Sequence, residues 1–430
     1  MTDPVILLTS LLSADQVVAA DRLPTWLTQM DRSPTLVYPH SEAELAAVMA
    51  CAHQQQWRLL PCGGGSKLAW GGPPAAIDLV VSTARLNQVI DHAVGDMTLT
   101  VQAGVRLADL ETPLANQQQW LAMDPAYGDR ATLGGIVATA DIGALRQRYG
   151  SVRDRVIGLT LVRHDGEIAR AGGRVVKNVA GYDLMKLMTG SYGTLGVISQ
   201  LTLRLYPIPD TSKTMVVTGP AEVMTSLTAK VRASTLTPVA LDLLSPRLVQ
   251  ALELPPGFGL AARFQSLEAG VEEQIALLRA MVPAECHGEI LVAVQEEQFW
   301  HGASTILYGT PSAPPDLLAK IGVPPTAAMP LLESLTSLLP HHHLARFHGG
   351  NGIGSLRLEG ESVELGMVKA LRSRCHQVGG YLTLHLAPSA LKTAIDVWDY
   401  QGKALGLMGK VKAEFDPQHR LSPGRFVGGL

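Results

Sequence analysis

The stretch Pro61-Cys62-Gly63-Gly64-Gly65-Ser66-Lys67 ends an apolar run that begins at Arg58, and the rest of the chain is read outward from it. Three consecutive glycines carry no Cβ, so their backbone N–H groups can converge on an anion that a side chain would hold away. Ser66 and Lys67 add a hydroxyl and a positive charge suited to phosphate oxygens. The spacing is not that of a Walker A loop, and no G-x-G-x-x-G occurs in the chain, so neither a P-loop nor a Rossmann nucleotide site is supported. An ordinary turn after a strand is the alternative for this element taken alone.

Two further glycine elements change that balance. Ala131-Thr132-Leu133-Gly134-Gly135-Ile136 places adjacent glycines between small and β-branched residues, as in a packed bend or a backbone pressed against a ligand. Gly190-Ser191-Tyr192-Gly193-Thr194-Leu195-Gly196-Val197-Ile198 closes a helix over Leu184–Met188, for which Asp183 is the expected cap, and opens a strand. Three glycine turns at strand edges within one block suit a long, extended ligand such as a dinucleotide better than a single phosphate.

The rest of the chain bounds the answer. Its 430 residues exceed one ordinary core and predict two or three domains. With 47% hydrophobic and 17% charged residues it reads as a globular chain, and its 42 glycines and 27 prolines predict many tight turns. A net charge of −3 without a basic face argues against nucleic acid as a partner. No apolar run reaches the ~18 residues a membrane span needs. The apolar opening from Pro4 to Leu12 is short and preceded by Asp3 rather than by basic residues, so no signal peptide is expected and the cytoplasm is the expected compartment. Cys51, Cys62, Cys286 and Cys375 stand far apart, which speaks against disulfides, zinc ribbons and a cluster ligated by this chain.

Periodicity predicts helices over Glu42–Gln55, with Ser41 as N-cap, over Asp109–Gln119, Ala221–Ser234 and Leu267–Met281, and from Ala387 to about Phe415. Strands are expected at Arg58–Pro61, Ala76–Ser82, Met97–Ala103, Val197–Tyr206, Ala240–Leu244, Glu289–Val294 and Gly354–Leu358. Thr310–Pro325, with five prolines, is expected to be a surface loop. The mixture reads as an α+β fold. Its expected organisation is a helical lead-in over 1–34, a glycine-turn domain over 35–209, a second α+β domain over 210–385 and a C-terminal segment over 386–430.

The order of glycine loop, Thr-Leu-Gly-Gly and Gly-Thr-Leu-Gly-Val-Ile resembles the flavin domain of the vanillyl-alcohol-oxidase/p-cresol-methylhydroxylase (PCMH) superfamily. Arg148-Tyr149-Gly150-Ser151-Val152-Arg153-Asp154, the run from Gly172 to Asp183 and the tail pieces Lys412–Pro417 and Ser422–Phe426 resemble the small FAD-binding flavoprotein subunits of bacterial glycolate oxidases. The resemblance is dense over 35–209 and 387–430 and thin between. It implies a two-subdomain PCMH-type FAD-binding domain, a smaller α+β cap and a C-terminal helical return to the FAD domain. It also implies a role in oxidising glycolate to glyoxylate beside a larger flavoprotein subunit and an iron–sulfur subunit, through which any membrane association would run.

By the same resemblance FAD would contact Cys62, Gly63, Gly64, Gly65, Ser66 and Lys67 with its pyrophosphate, and Thr132, Leu133, Gly134, Gly135, Gly193, Gly196, Val197 and Ile198 with its remainder. Covalent relatives usually carry a histidine where Gly65 stands, so non-covalent FAD is expected. Related 2-hydroxyacid dehydrogenases carry H-x-G-D-G-N-x-H, whose histidines help hold a divalent metal or substrate. Here His348 is kept, but Asn351 replaces the acid and Ser355 the second histidine, so no metal is expected. His348 and His385 remain as candidates for a base, with a vestigial or structural role preferred. His341-His342-His343 reads as a solvated loop, because consecutive residues point to alternate faces. Tyr182 is expected to pack. A stand-alone FAD-dependent oxidase of a 2-hydroxyacid or sugar is the alternative function.

Overall fold

The computed structural model describes residues 4–18, 34–174, 181–310, 315–339, 343–359 and 363–430. Residues 1–3 and 19–33 of the expected helical lead-in, residues 175–180 of the run before Asp183, and His341 and His342 lie outside them. The chain forms two compact units. The first comprises Met1–Ile142, Ser151–Ile208 and Tyr400–Leu430; the second comprises Gly143–Gly150 and Pro209–Asp399.

In the first unit the helix Glu42–Gln54 starts where Ser41, in extended conformation, accepts a hydrogen bond from Glu44 N at 3.1 Å. Glu42 and Glu44 lie in its first turn, where the helix dipole favours negative charge. Leu45, Val48, Met49 and Ala52 recur at helical spacing and are buried with Trp57, Leu79 and Val81. Beside it lies a four-stranded sheet ordered Val17–Val18, Thr35–Val37, Leu79–Ser82, Leu59–Cys62, whose last three strands run parallel.

A second, antiparallel sheet is ordered Val89–Ala93, Thr98–Gln102, Val197–Arg204, Val156–Val162, Ile168–Gly172. Its central strand Val197–Arg204 buries Leu201 and Leu203 completely. The expected run to Tyr206 breaks at Leu205, and Tyr206–Pro207 pairs separately with Gln119–Trp120. The helix expected over Asp109–Gln119 is Ala108–Ala115, and Gln119 is already strand.

The second unit is built on one eight-stranded sheet, ordered His287–Val292, Thr211–Gly219, Phe258–Ser266, Ala240–Leu244, His343–His348, Ile353–Leu358, Leu317–Gly322, Tyr381–Leu386. Every strand pair in it is antiparallel. One face is apolar at every second residue: Leu241 and Leu243, Ala345 and Phe347, Ala319 and Ile321, Leu382 and Leu384. The helices Ala221–Ala233, Glu268–Met281, Ala328–Leu338 and Leu365–Gln377 bury apolar residues in the same core.

Three expectations are corrected here. The expected surface loop over Thr310–Pro325 does not hold for its middle: residues 311–314 lie outside the described residues, and Leu317–Gly322 is an inner strand with Leu317, Leu318, Ala319 and Ile321 fully buried. Pro315, Pro324 and Pro325 flank the strand, where no ladder N–H is needed. The continuous helix from Ala387 resolves into Ser389–Ala394 and Leu405–Phe415. Residues up to Asp399 stay with the second unit, because Arg372 Nη2 donates to Asp396 O at 2.6 Å and Leu382 N to Asp399 Oδ2 at 3.0 Å. His343 is not in a solvated loop but buried at a strand start, with Nδ1 2.6 Å from Leu339 O.

Phe347 fills this core and is fully buried. Phe347→Ala should lower the unfolding free energy of the second unit by about 3–5 kcal/mol through transfer and cavity costs. A urea titration followed by tryptophan fluorescence would check it, and a loss below about 1 kcal/mol would contradict the packing described.

Candidate functional site

The first unit brings its glycine elements together. The strand Leu59–Cys62 hands the chain to the loop of Gly63–Gly65, held by Ser82 Oγ donating to Gly63 O at 2.9 Å and Thr83 N to Cys62 O at 2.9 Å. Gly65 has φ 78°, in the left-handed region where a side chain is disfavoured. A Cβ on Gly63 would lie 2.0 Å from Thr132 Oγ1, so the first loop and the second glycine element touch only because Gly63 has none.

Thr132 caps the helix Leu133–Thr139, its hydroxyl accepting from Gly135 N at 3.3 Å. Gly134 N donates to Ala103 O at 2.8 Å, and a Cβ there would meet Ala103 Cβ at 2.8 Å. Its glycine character thus serves helix–strand packing as well. The third element is tied to this helix by Gly190 N donating to Val137 O and Tyr192 N to Ala138 O, both 2.9 Å. Asp183 caps Leu184–Met188 as expected, its Oδ1 accepting from Lys186 N at 3.2 Å. Tyr182, expected to pack, is 91% exposed.

One cavity results. Cys62, Gly63, Gly64, Gly65, Ser66, Lys67, Thr132, Gly134, Gly135, Gly193, Gly196, Val197 and Ile198 all line it. Leu133 does not; it is fully buried in the apolar core. Ser191, Tyr192 and Arg425 also line the cavity and were missed by the sequence reading. Arg425 lies in the Ser422–Phe426 run, quoted only as a tail; its place depends on Leu421 forming a parallel bridge with Leu59. Ser422 N donates to Leu59 O at 2.8 Å and Arg425 Nη1 to Gly72 O at 3.2 Å.

The charges differ from expectation. The Lys67 ammonium is buried 2.8 Å from Asp141 Oδ2, so its charge is balanced within the chain rather than offered whole to a phosphate. Among the described residues, Arg425 is the other cation lining the cavity. Burial pushes its guanidinium down to about 10, still charged at neutral pH. Burial also pushes the Cys62 thiol up to about 12 and the Tyr192 hydroxyl above its ordinary range. Glycine turns without side chains, a buried guanidinium and two neutral polar groups suit a large anionic ligand with a flat apolar part.

The two histidine candidates lie in the second unit and do not meet. His348 and His385 are on strands separated by two others, ~14 Å apart at the usual strand spacing. His348 Nδ1 lies 2.6 Å from Oδ1 of Asp242, which is fully buried and faces it in register. Arg346 Nε is 3.6 Å from the other oxygen of Asp242. Asn351 Oδ1 accepts from Ile353 N at 2.9 Å, and Ser355 Oγ lies 3.2 Å from Tyr308 Oη. The partner of His348 is thus Asp242, over a hundred residues away in sequence, and nothing in the local motif signalled it.

Comparison with known proteins agrees with the geometry. Residues 34–172 match the family model of an FAD binding domain. The chain is 24% identical over 433 residues to glycolate oxidase subunit GlcD of Bacillus subtilis (strain 168), covering 95% of this chain and 91% of that protein. It is 38% identical over 151 residues to glycolate oxidase subunit GlcE of Escherichia coli (strain K12), covering 35% of this chain and 43% of the relative. A solved structure of alkyldihydroxyacetonephosphate synthase superposes with a TM-score of 0.75 at 17% identity, over 98% of this chain and 84% of the other; it shares the fold.

A thiol raised to about 12 is almost wholly protonated at pH 8 and a poor nucleophile. Cys62 in the native chain should therefore resist iodoacetamide at pH 8 and react once urea unfolds it. Peptide mass spectrometry would read this, and rapid native labelling of Cys62 would refute the assigned environment.

Proposed function

We propose that this chain, an FAD-dependent oxidoreductase with its FAD-binding domain over residues 34–172, is the FAD-carrying subunit of a complex that oxidises glycolate to glyoxylate. The observation that carries the reading is the cavity of the first unit where two glycine turns from residues 34–172 meet the third glycine turn and Arg425. The Gly63–Gly65 backbone and Arg425 would take the pyrophosphate, while Thr132, Gly135, Gly193 and Gly196 would leave room along the rest of the cofactor. FAD, when bound, accepts the reducing equivalents of the substrate. Cys62, kept neutral by burial, supports non-covalent binding.

Similarity to GlcD and GlcE supports a multi-subunit assembly. A larger flavoprotein subunit would supply the complete substrate site, since Asn351 and Ser355 stand where the related motif has an acid and a second histidine. An iron–sulfur subunit would carry electrons onward. Among the described residues no helix is long and apolar enough to cross a membrane, so contact with one would run through the partners.

A second reading, a stand-alone 2-hydroxyacid dehydrogenase, draws on the buried His348–Asp242 pair. A carboxylate on Nδ1 orients an imidazole so that its other nitrogen can accept a hydroxyl proton. Anaerobic addition of glycolate to the purified, FAD-loaded chain separates the two. The subunit reading expects unchanged visible flavin absorbance until the larger flavoprotein is supplied; rapid bleaching by the isolated chain, abolished in His348→Gln, would establish the second.

Gly64→Leu tests the cofactor placement. The protein atoms nearest a Cβ on Gly64 would be Arg130 O at 3.3 Å and Thr132 Cγ2 at 3.9 Å, so the fold should survive while the larger side chain fills the cavity. The FAD dissociation constant should rise by about two orders of magnitude. Full flavin occupancy in this variant would refute the placement.

A further inference from the structure

The helix Leu405–Phe415 has one buried residue, and it is a lysine. Lys412 is 2% exposed and does not line the cavity. Its ammonium has three donors and three acceptors within reach: Asp416 Oδ2 at 2.6 Å, Thr194 O at 2.8 Å and Leu421 O at 2.8 Å. Asp416, fully buried, also accepts from Leu421 N at 2.7 Å. Val411 and Phe415 are only partly buried against the core, so apolar packing alone is a weak anchor for this helix. Burying an ammonium and a carboxylate costs several kcal/mol that their attraction only roughly offsets, so such a pair is better suited to fixing a position than to adding stability.

What it fixes is the cavity wall. Thr194 belongs to the third glycine turn, where Tyr192 has φ 54° and Gly193 φ 71°. A non-glycine residue in that region is strained and persists only where neighbours hold it. On one side the turn is held by Val137 O and Ala138 O; on the other, Ser422 Oγ donates to Gly193 O at 3.2 Å and Lys412 to Thr194 O. The same ammonium grips Leu421, beside Leu59 at the root of the first loop and four residues before Arg425.

We propose that Lys412 is a positioning residue of the FAD site, keying the C-terminal segment to the first and third glycine turns so that flavin affinity depends on a group that never touches the ligand. The proposal rests on the cofactor reading above. It does not require Lys412 to take part in the reaction.

The test compares Lys412→Met with the double variant Lys412→Met/Asp416→Leu. Three quantities are read: the FAD dissociation constant, the visible circular dichroism of bound flavin, and the urea midpoint of the apo-chain. Lys412→Met should lower the midpoint, weaken FAD by about tenfold or more and alter the flavin dichroism. The double variant removes the stranded carboxylate and should recover much of the midpoint, while affinity and dichroism stay at the single-variant level. Recovery of all three together, or no change in affinity, would reduce Lys412 to a stability element and overturn the proposal. If neither Lys412 variant folds, Ser422→Ala decides: a severalfold weaker FAD affinity at unchanged midpoint supports it, and unchanged affinity refutes it. A wild-type chain that binds no FAD overturns the cofactor reading and this inference together, whereas normal wild-type binding with an indifferent Lys412→Met removes this inference alone.

Discussion

The cavity of the first unit depends on the approach of Gly63 to Thr132, where any Cβ would sit 2.0 Å from the threonine hydroxyl. The four-stranded sheet delivers the first loop to that point, and the helix Leu133–Thr139 delivers the second element. The third turn is bonded to the last turn of the same helix through Val137 O and Ala138 O. If the first contact were wider, the turns would surround a larger space and Arg425 would face a different wall. Close backbone approach, rather than any one reactive side chain, makes this cavity fit for a large anion.

Charge within that cavity is arranged economically. Lys67, the obvious phosphate ligand by sequence, is balanced by Asp141, and the guanidinium comes instead from the far end of the chain. Such placement lets the C-terminal segment complete a wall begun by residues more than three hundred positions earlier. The buried Lys412–Asp416 pair belongs to this return path, holding Leu421 beside Leu59. The second unit uses a different rule. Its apolar sheet face is sealed by four helices, while Asp242, His348 and Arg346 meet as a buried polar cluster.

Local chemistry was legible wherever one or two neighbouring residues decide it. Ser41 and Asp183 cap the helices for which they were chosen, and Ala240–Leu244 is a strand over its full expected span. Errors fell where context outweighs the local signal. Five prolines suggested a loop over Thr310–Pro325, yet those flanking Leu317–Gly322 end the strand rather than break it. His343 follows two histidines and looked solvated, but it begins an inner strand and is buried.

By itself the sequence determined the α+β character, the three glycine turns, the capped helices and, through its motifs, the resemblance to an FAD-binding domain. These depend on backbone freedom and on contacts a few residues long, which composition and spacing record directly. Only the tertiary structure decided that Leu133 faces the core, that Lys67 is neutralised by Asp141, that Arg425 enters the cavity and that His348 is held by Asp242. The bonds from Lys412 to Thr194 and from Asp242 to His348 span 218 and 106 positions of the chain. Pairings at that separation are set by sheet order and burial, and no local pattern encodes them.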